Sequence, residues 1–208
     1  MRKIDRKKPP ACLDQVKPNH DWDQFKQSNR DCYSSIKQSL LEEQFFLCCY
    51  CESKIDLLDC HVEHLKPKSK NQELHCDYSN LACSCQEPHS CGHKKANWDW
   101  QDDEFRSPHD EEIGKLFCFS LDGVIEPTEH NPLIAKKMIE KLNLNHDSLR
   151  SRRERMAKEI ITTLGPEPTD EIRNILQVIY TEIQPDNRLP EFHSLCSQYL
   201  HLKPSAPA

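Results

Sequence analysis

Eight of the chain's 12 cysteines fall between Cys48 and Cys91, together with four of its 11 histidines. That crowding limits what the segment can fold into. In a reducing compartment, clustered Cys and His point to a bound metal before disulfides. A disulfide framework would need an oxidising compartment, which nothing in the sequence provides. The run Cys48-Cys49-Tyr50-Cys51 contains a C-x2-C pair, and two sulfurs at that spacing can grip one Zn²⁺ from a tight turn. A second pair comes from NLACSCQEPHSCGHKK, with Cys83, Cys85 and Cys91 as candidates. Cys85 and Cys91 are preferred, with Cys83 and Cys49 as neighbours. A four-cysteine site is closed and therefore structural. It supplies folding energy to a segment too short to build its own hydrophobic core.

The chain has 208 residues, enough for one good-sized core or a small core with a helical appendage. No apolar run is long enough for a membrane span, and the basic start MRKIDRKKPP has no apolar stretch behind it. The expected location is the cytoplasm. The formal net charge is −6. Phosphate contacts supply most nucleic-acid affinity, so this acidity argues against tight nucleic-acid binding by the chain alone. Basic charge is local: Arg2, Lys3, Arg6, Lys7 and Lys8, then Lys66, Lys68 and Lys70, then Arg150, Arg152, Arg153 and Arg155. The last cluster reads as a solvated face. The Lys66–Lys70 cluster lies beside the candidate catalytic residues and reads as phosphate-contacting.

Four segments are expected: 1–47, an N-terminal arm and helices; 48–100, the zinc-bound core; 101–130, an acidic loop and hairpin; and 131–208, helical. Residues 1–20 read as an extended arm. Asp21 to Phe46 reads as mostly helical, with Ile36, Leu40, Leu41 and Phe45 at helical spacing and Ser34 or Ser35 as N-cap. The acidic stretch 99–112 reads as an exposed loop. KLFCFSLDGVIEP reads as a hairpin about a two-residue Asp122-Gly123 turn. Four helices should follow, beginning at Pro132 behind an Asn131 cap, at Asp147, near Thr169 and at Pro190. The tail LKPSAPA reads as disordered.

Between the cysteine pairs lie CHVEHLKPKSK and DYSNL. Cutting a phosphodiester needs a base to deprotonate water and a cation to neutralise charge on the phosphate and the leaving oxygen. Histidine is the natural base near neutral pH, and oxygen donors with some imidazole suit Mg²⁺ or Mn²⁺. In an extended strand Glu63 and His64 diverge, unless a turn at Lys66-Pro67 and a following helix enclose both. His93 and Asn97, four apart, would share a helix face and hold one metal with Glu63.

In order, C-x2-C, EH-x2-P, NL followed by Cys, and C-x-H-x-K resemble the HNH endonucleases with their ββα-metal core. CCYCESKI, VEHLKPKS, DYSNL and CGHKKAN resemble one branch more closely: the HNH protein of the Septu anti-phage system, also found with some retrons. MRKIDR…PPACL and LLEEQ match that branch too, so the resemblance covers about residues 1–100. It implies an α+β fold, with a zinc-stapled HNH core flanked by N-terminal helices and a helical C-terminal half. It makes His64 the general base and Glu63 a catalytic-metal ligand. Asn80 would hold the loop and orient His64. His93 would be the last motif residue and a metal ligand, and Asn97 a further one. Cys48, Cys51, Cys85 and Cys91 would bind zinc, while Lys66, Lys68 and Lys94 or Lys95 would contact phosphate. Cys85 and Cys91 are separated by five residues rather than the usual two, and Gly92 precedes His93. His89 is therefore a rival to His93, and His61 could flank the metal or hydrogen-bond behind it.

The implied cofactors are structural Zn²⁺ and catalytic Mg²⁺ or Mn²⁺. The implied partners are nucleic acid, DNA before RNA, and an ATPase of the ABC and SMC type, with a retron reverse transcriptase and its RNA–DNA as a further partner. Two alternatives stand beside this: a nuclease of the same fold that cuts RNA or tRNA, and a non-catalytic zinc module that leaves the EH-x2-P and NL residues idle.

Overall fold

The computed structural model describes residues 1–201, and the tail read as disordered (202–208) lies outside them. The fold is mixed α+β. Asp21 caps α1 (Trp22–Ser28) by accepting from the Gln24 amide at 2.8 Å. α2 (Arg30–Glu43) begins behind Asn29, so Ser34 and Ser35 are not caps. Both lie inside the helix, where Ser35 Oγ donates back to the Asp31 carbonyl. Ile36, Leu40 and Leu41 form the buried stripe of α2.

β1 (Cys60–His64) and β2 (Leu81–Cys85) pair antiparallel, with Cys60 opposite Cys85, Glu63 opposite Ala82 and His64 opposite Leu81. Helix α3 (Cys91–Lys95) follows β2. α2 covers the hairpin face that carries Cys83, whose thiol reaches the Lys37 carbonyl. α3 covers the other face, where Gly92 lies against His61 and Glu63.

The second hairpin, β3 (Phe117–Phe119) with β4 (Ile125–Pro127), forms where expected, but its turn is one residue longer. The Ser120 amide bonds the Val124 carbonyl and leaves Leu121, Asp122 and Gly123 as the loop. Gly123 has φ 79°, and a Cβ there would fall 2.1 Å from the Arg150 carbonyl, so both backbone conformation and space demand glycine. Of the arginines read as a solvated face, Arg150 and Arg155 are exposed, Arg152 is half-buried and Arg153 is not solvated at all. Arg150 pairs with Asp122, and Arg152 reaches Glu191 and Ser53. Arg153 is buried and donates to the Gly123 and Leu144 carbonyls.

α4 (Pro132–Lys141) carries proline at its first position, as expected. α5 (Asp147–Leu164) stops at Gly165, with φ 68°. Thr169 caps α6 (Asp170–Thr181). α7 (His193–His201) starts three residues later than Pro190, because Phe192 sits at φ 54°, outside the helical region. One contiguous core runs from Met1 and Ile4 through the first hairpin to Leu195 and Leu200. The N-terminal arm is therefore packed, with the Ile4 amide bonded to the Pro108 carbonyl. Phe105 anchors the acidic stretch by stacking on Trp100, with ring centroids 4.6 Å apart. Against the expectation of no disulfides, Cys12 on the arm is bonded to Cys32 on α2. Among the described residues, no helix is long and apolar enough to cross a membrane.

Candidate active site and metal centre

Leu47 bridges Lys54, and within that turn the Cys48 amide bonds the Ser53 carbonyl, turning Cys48 and Cys51 towards the end of the first hairpin. Cys85 ends β2. Cys91 opens α3 at φ 54°, its amide held by the Leu142 carbonyl at 2.8 Å. The four sulfurs lie within 4.8 Å of one another and all four residues are buried. The longer Cys85–Cys91 spacing thus still closes the group, with the intervening loop held by Asn143, which donates to the His89 carbonyl at 2.8 Å. Burial pushes the Cys48 thiol up, but hydrogen bonds from the neighbouring thiols outweigh this and hold it well below the ordinary value. A buried set of four soft donors carrying a stabilised thiolate fits a thiophilic cation such as zinc. Among the described residues it is the only group of three or more His, Cys, Asp and Glu side chains whose donor atoms converge.

The candidate catalytic residues are divided between the two faces of β1. Strand alternation sends His61 and Glu63 towards α3 and His64 towards α1. The turn after Lys66 does not bring Glu63 and His64 together.

On the α3 face, Glu63 Oε1 lies 2.9 Å from Lys95 Nζ and accepts from the Tyr50 hydroxyl at 3.3 Å. Glu63 Oε2 lies 3.3 Å from His61 Nε2. Burial pushes the Glu63 carboxyl up, but His61 and Lys95 outweigh it and hold the group below its usual range. A Cβ at Gly92 would lie 2.5 Å from Glu63 Oε2 and 2.6 Å from His61 Nε2, so the absent side chain is what lets both approach the helix. His93 stands beside this cluster, its ring centroid 4.8 Å from that of His61, and its Nε2 meets Gln86 Oε1. Asn97 does not join, contrary to the shared-helix-face expectation. α3 ends at Lys95, Ala96 turns at φ 47°, and Asn97 instead accepts a hydrogen bond from Ser69. His89, the rival to His93, stacks on His146.

On the α1 face, His64 is buried. Its ring meets Trp22 edge-on at 4.8 Å, and its Nε2 lies 2.9 Å from the His75 carbonyl. A carbonyl only accepts, so Nε2 carries the proton, and in the neutral ring Nδ1 holds the free lone pair. Burial pushes His64 down to about 4, against the opposing pull of the His75 carbonyl and Glu63. Asn80 closes the loop between the strands. Its Oδ1 accepts from the Lys66 amide at 2.7 Å, and its Nδ2 donates to the carbonyls of Lys66 and Leu74 at 3.1 and 3.3 Å. That loop carries the carbonyl that fixes His64.

Lys66 and Lys68 are committed within the chain. Lys66 lies over the Trp100 ring at 3.7 Å and donates to the Trp100 carbonyl, while Lys68 pairs with Asp23 at 2.6 Å. Lys94 is exposed. The sequence reading missed Tyr50, Gly92, Trp22 and the His75 carbonyl. Only Gly92 left a trace, as the residue separating Cys91 from His93.

No family model matches the chain. Two curated relatives do, and their names place both among the HNH endonucleases. The chain is 36% identical over 76 residues to the one from retron Ec83 of Escherichia coli, a match spanning 33% of this chain and 30% of that protein. It is 30% identical over 156 residues to the one from retron Vc95 of Vibrio cholerae serotype O1 biovar El Tor, covering 70% of this chain and 71% of that protein. With that second match crossing most of both chains, the protein belongs to the HNH endonuclease family to which these two retron proteins are assigned by name.

Proposed function

We propose that the chain is a metal-dependent HNH endonuclease hydrolysing phosphodiester bonds in nucleic acid, DNA first. In this reading it is the nuclease effector of a cytoplasmic anti-phage system of the retron and Septu kind, working with an ATPase. The observation that carries the proposal is the preparation of His64: neutral, with one ring nitrogen tied to a backbone carbonyl and the other left as an acceptor. A catalytic base oriented by a third group is the arrangement that water activation requires. The β1–β2–α3 unit serves as the ββα-metal core.

The four cysteines hold Zn²⁺ as a scaffold. On the α3 face Glu63 and His61 offer a carboxylate and an imidazole, with His93 alongside, a donor set that suits Mg²⁺ or Mn²⁺. Such an ion, when bound, supplies positive charge to the phosphate and the leaving oxygen. Lys95 holds the Glu63 carboxylate ionised and in place. Catalysis in this reading requires the His64 end of β1 to open on substrate, so that the α1 and α3 faces reach one phosphate. His64 then takes the proton of the attacking water at Nδ1, the new P–O bond forms, and the 3′-oxygen leaves, giving a 5′-phosphate product. Asn80 keeps the His75 carbonyl positioned.

The test is cleavage of labelled DNA and tRNA, side by side, by the chain with its neighbouring ATPase in Mg²⁺ or Mn²⁺. His64→Ala should slow cutting by about 10² to 10⁴, the size of a lost general base. Equal cutting by wild type and His64→Ala would end the proposal. Zinc as the only bound metal, with no divalent-dependent cutting of either substrate, would leave a non-catalytic zinc module. Co-elution with the ATPase on size exclusion tests the partner.

A further inference from the structure

Helix α6 presents an apolar face that the rest of the fold leaves uncovered. Ile175, Val178 and Ile179 are each about half exposed, as is Ile183 just beyond the helix, and Ile172 begins the same stripe. Leu176 alone on α6 is buried, against the neighbouring helices, so the helix already has its inward face, and the second stripe is additional. Isolated exposed aliphatics are ordinary, but a contiguous set on one ridge marks a contact surface.

Charge around the stripe selects what fits. Asp170 and Glu171 stand at its N-terminal end, with Glu167 just before them, and Glu182 stands at its C-terminal end. All four are exposed, and none is paired with a cation among the described residues. Arg173, the only basic residue of α6, is turned inward and donates to the Leu200 carbonyl. A second copy is a poor occupant. Antiparallel packing of α6 on itself would set Glu171 against Glu182, and parallel packing would set each acid against its twin. Nucleic acid is repelled by the same carboxylates. We infer that the α6 face docks a partner protein through an amphipathic helix whose apolar ridge is flanked by lysines or arginines. This does not rest on the nuclease reading, since none of these residues touches the β1–α3 cluster.

Fluorescence anisotropy with a labelled 18-residue leucine–lysine amphipathic peptide tests it, beside the leucine–glutamate peptide of the same pattern. The lysine peptide should bind saturably, and the glutamate peptide should not. Ile175→Glu with Ile179→Glu should weaken the lysine peptide by about tenfold or more, although the change adds negative charge. Attraction by charge alone would instead strengthen it, so that outcome overturns the inference. Glu171→Lys with Glu182→Lys, which leaves the apolar ridge intact, should weaken the lysine peptide as well. Equal binding of both peptides, or no effect of either double variant in chains that melt like wild type, also overturns it. So does a concentration-dependent dimer in sedimentation velocity that Ile175→Glu abolishes.

Discussion

The two ends of the first hairpin handle polar side chains in opposite ways. At the Cys85 end four buried thiols converge closely enough for a single cation to satisfy them all. At the His64 end the groups are parted by the strand: Glu63 faces α3 under Lys95, and His64 faces α1 under Trp22. The thiol end is complete as folded. The other end holds each reactive group in check with its own partner. In the proposed reading the first is a structural site, closed because nothing must enter it, and the second must admit a substrate and holds its groups ready until then.

The largest effect that separates the two ends should come from stripping the cysteine site. Cys51→Ser, or a strong chelator on the wild type, should cost on the order of 5 kcal/mol or more, enough to abolish cooperative unfolding by circular dichroism. A melt unchanged by chelator would remove the contrast altogether.

Next is the pH response of the other end. His64 is held at about 4 against an ordinary value of 6.5, so between those values the unfolded chain binds more protons than the folded one. Stability should therefore fall as pH drops from 6.5 to 4, by up to about 3 kcal/mol. His64→Asn should flatten the part of that slope that His64 contributes. His109, pushed by burial to the same value, keeps its own share in both proteins. Identical acid limbs in urea titrations of the two would refute the assignment.

Gly92→Ala drives a methyl into Glu63 and His61, and should destabilise by about 1–3 kcal/mol. It should also shift the His61 ring signals in NMR spectra while leaving those of His64 in place, since the strand lies between them. Movement of both rings would mean that the faces communicate. The smallest expected effect is that of Asn80→Ala, about 1–2 kcal/mol for the half-buried Lys66 amide left without its acceptor. It should move the His64 signals and spare those of His61.

What the sequence disclosed follows the same division. Cys48, Cys51, Cys85 and Cys91 were legible because a metal's appetite for sulfur is written in residue type and survives an irregular loop. The start of α5 was legible, because Asp147 opens an amphipathic run. The role of Asn80 as loop clamp was also anticipated. Asn97 was misplaced because i, i+4 spacing says nothing about where a helix stops, and the left-handed Ala96 is invisible in composition. The roles of Lys95, Tyr50 and Trp22 depend on which distant element packs on which face. The arginines of α5 read as solvated because charge is usually outside, yet Arg153 is inside, with carbonyls rather than water as its acceptors.

Glu52 gives the cysteine turn a reach beyond itself. Set between Cys51 and Ser53, its carboxylate accepts from the Arg2 amide at 2.6 Å and from both the amide and the hydroxyl of Ser194 at the start of α7. One side chain thus works as a keystone where the two outermost parts of the described chain abut. Loosening the sulfur turn would be felt at once in the arm and in the last helix, so limited proteolysis at either extremity reports on the state of the cysteine centre.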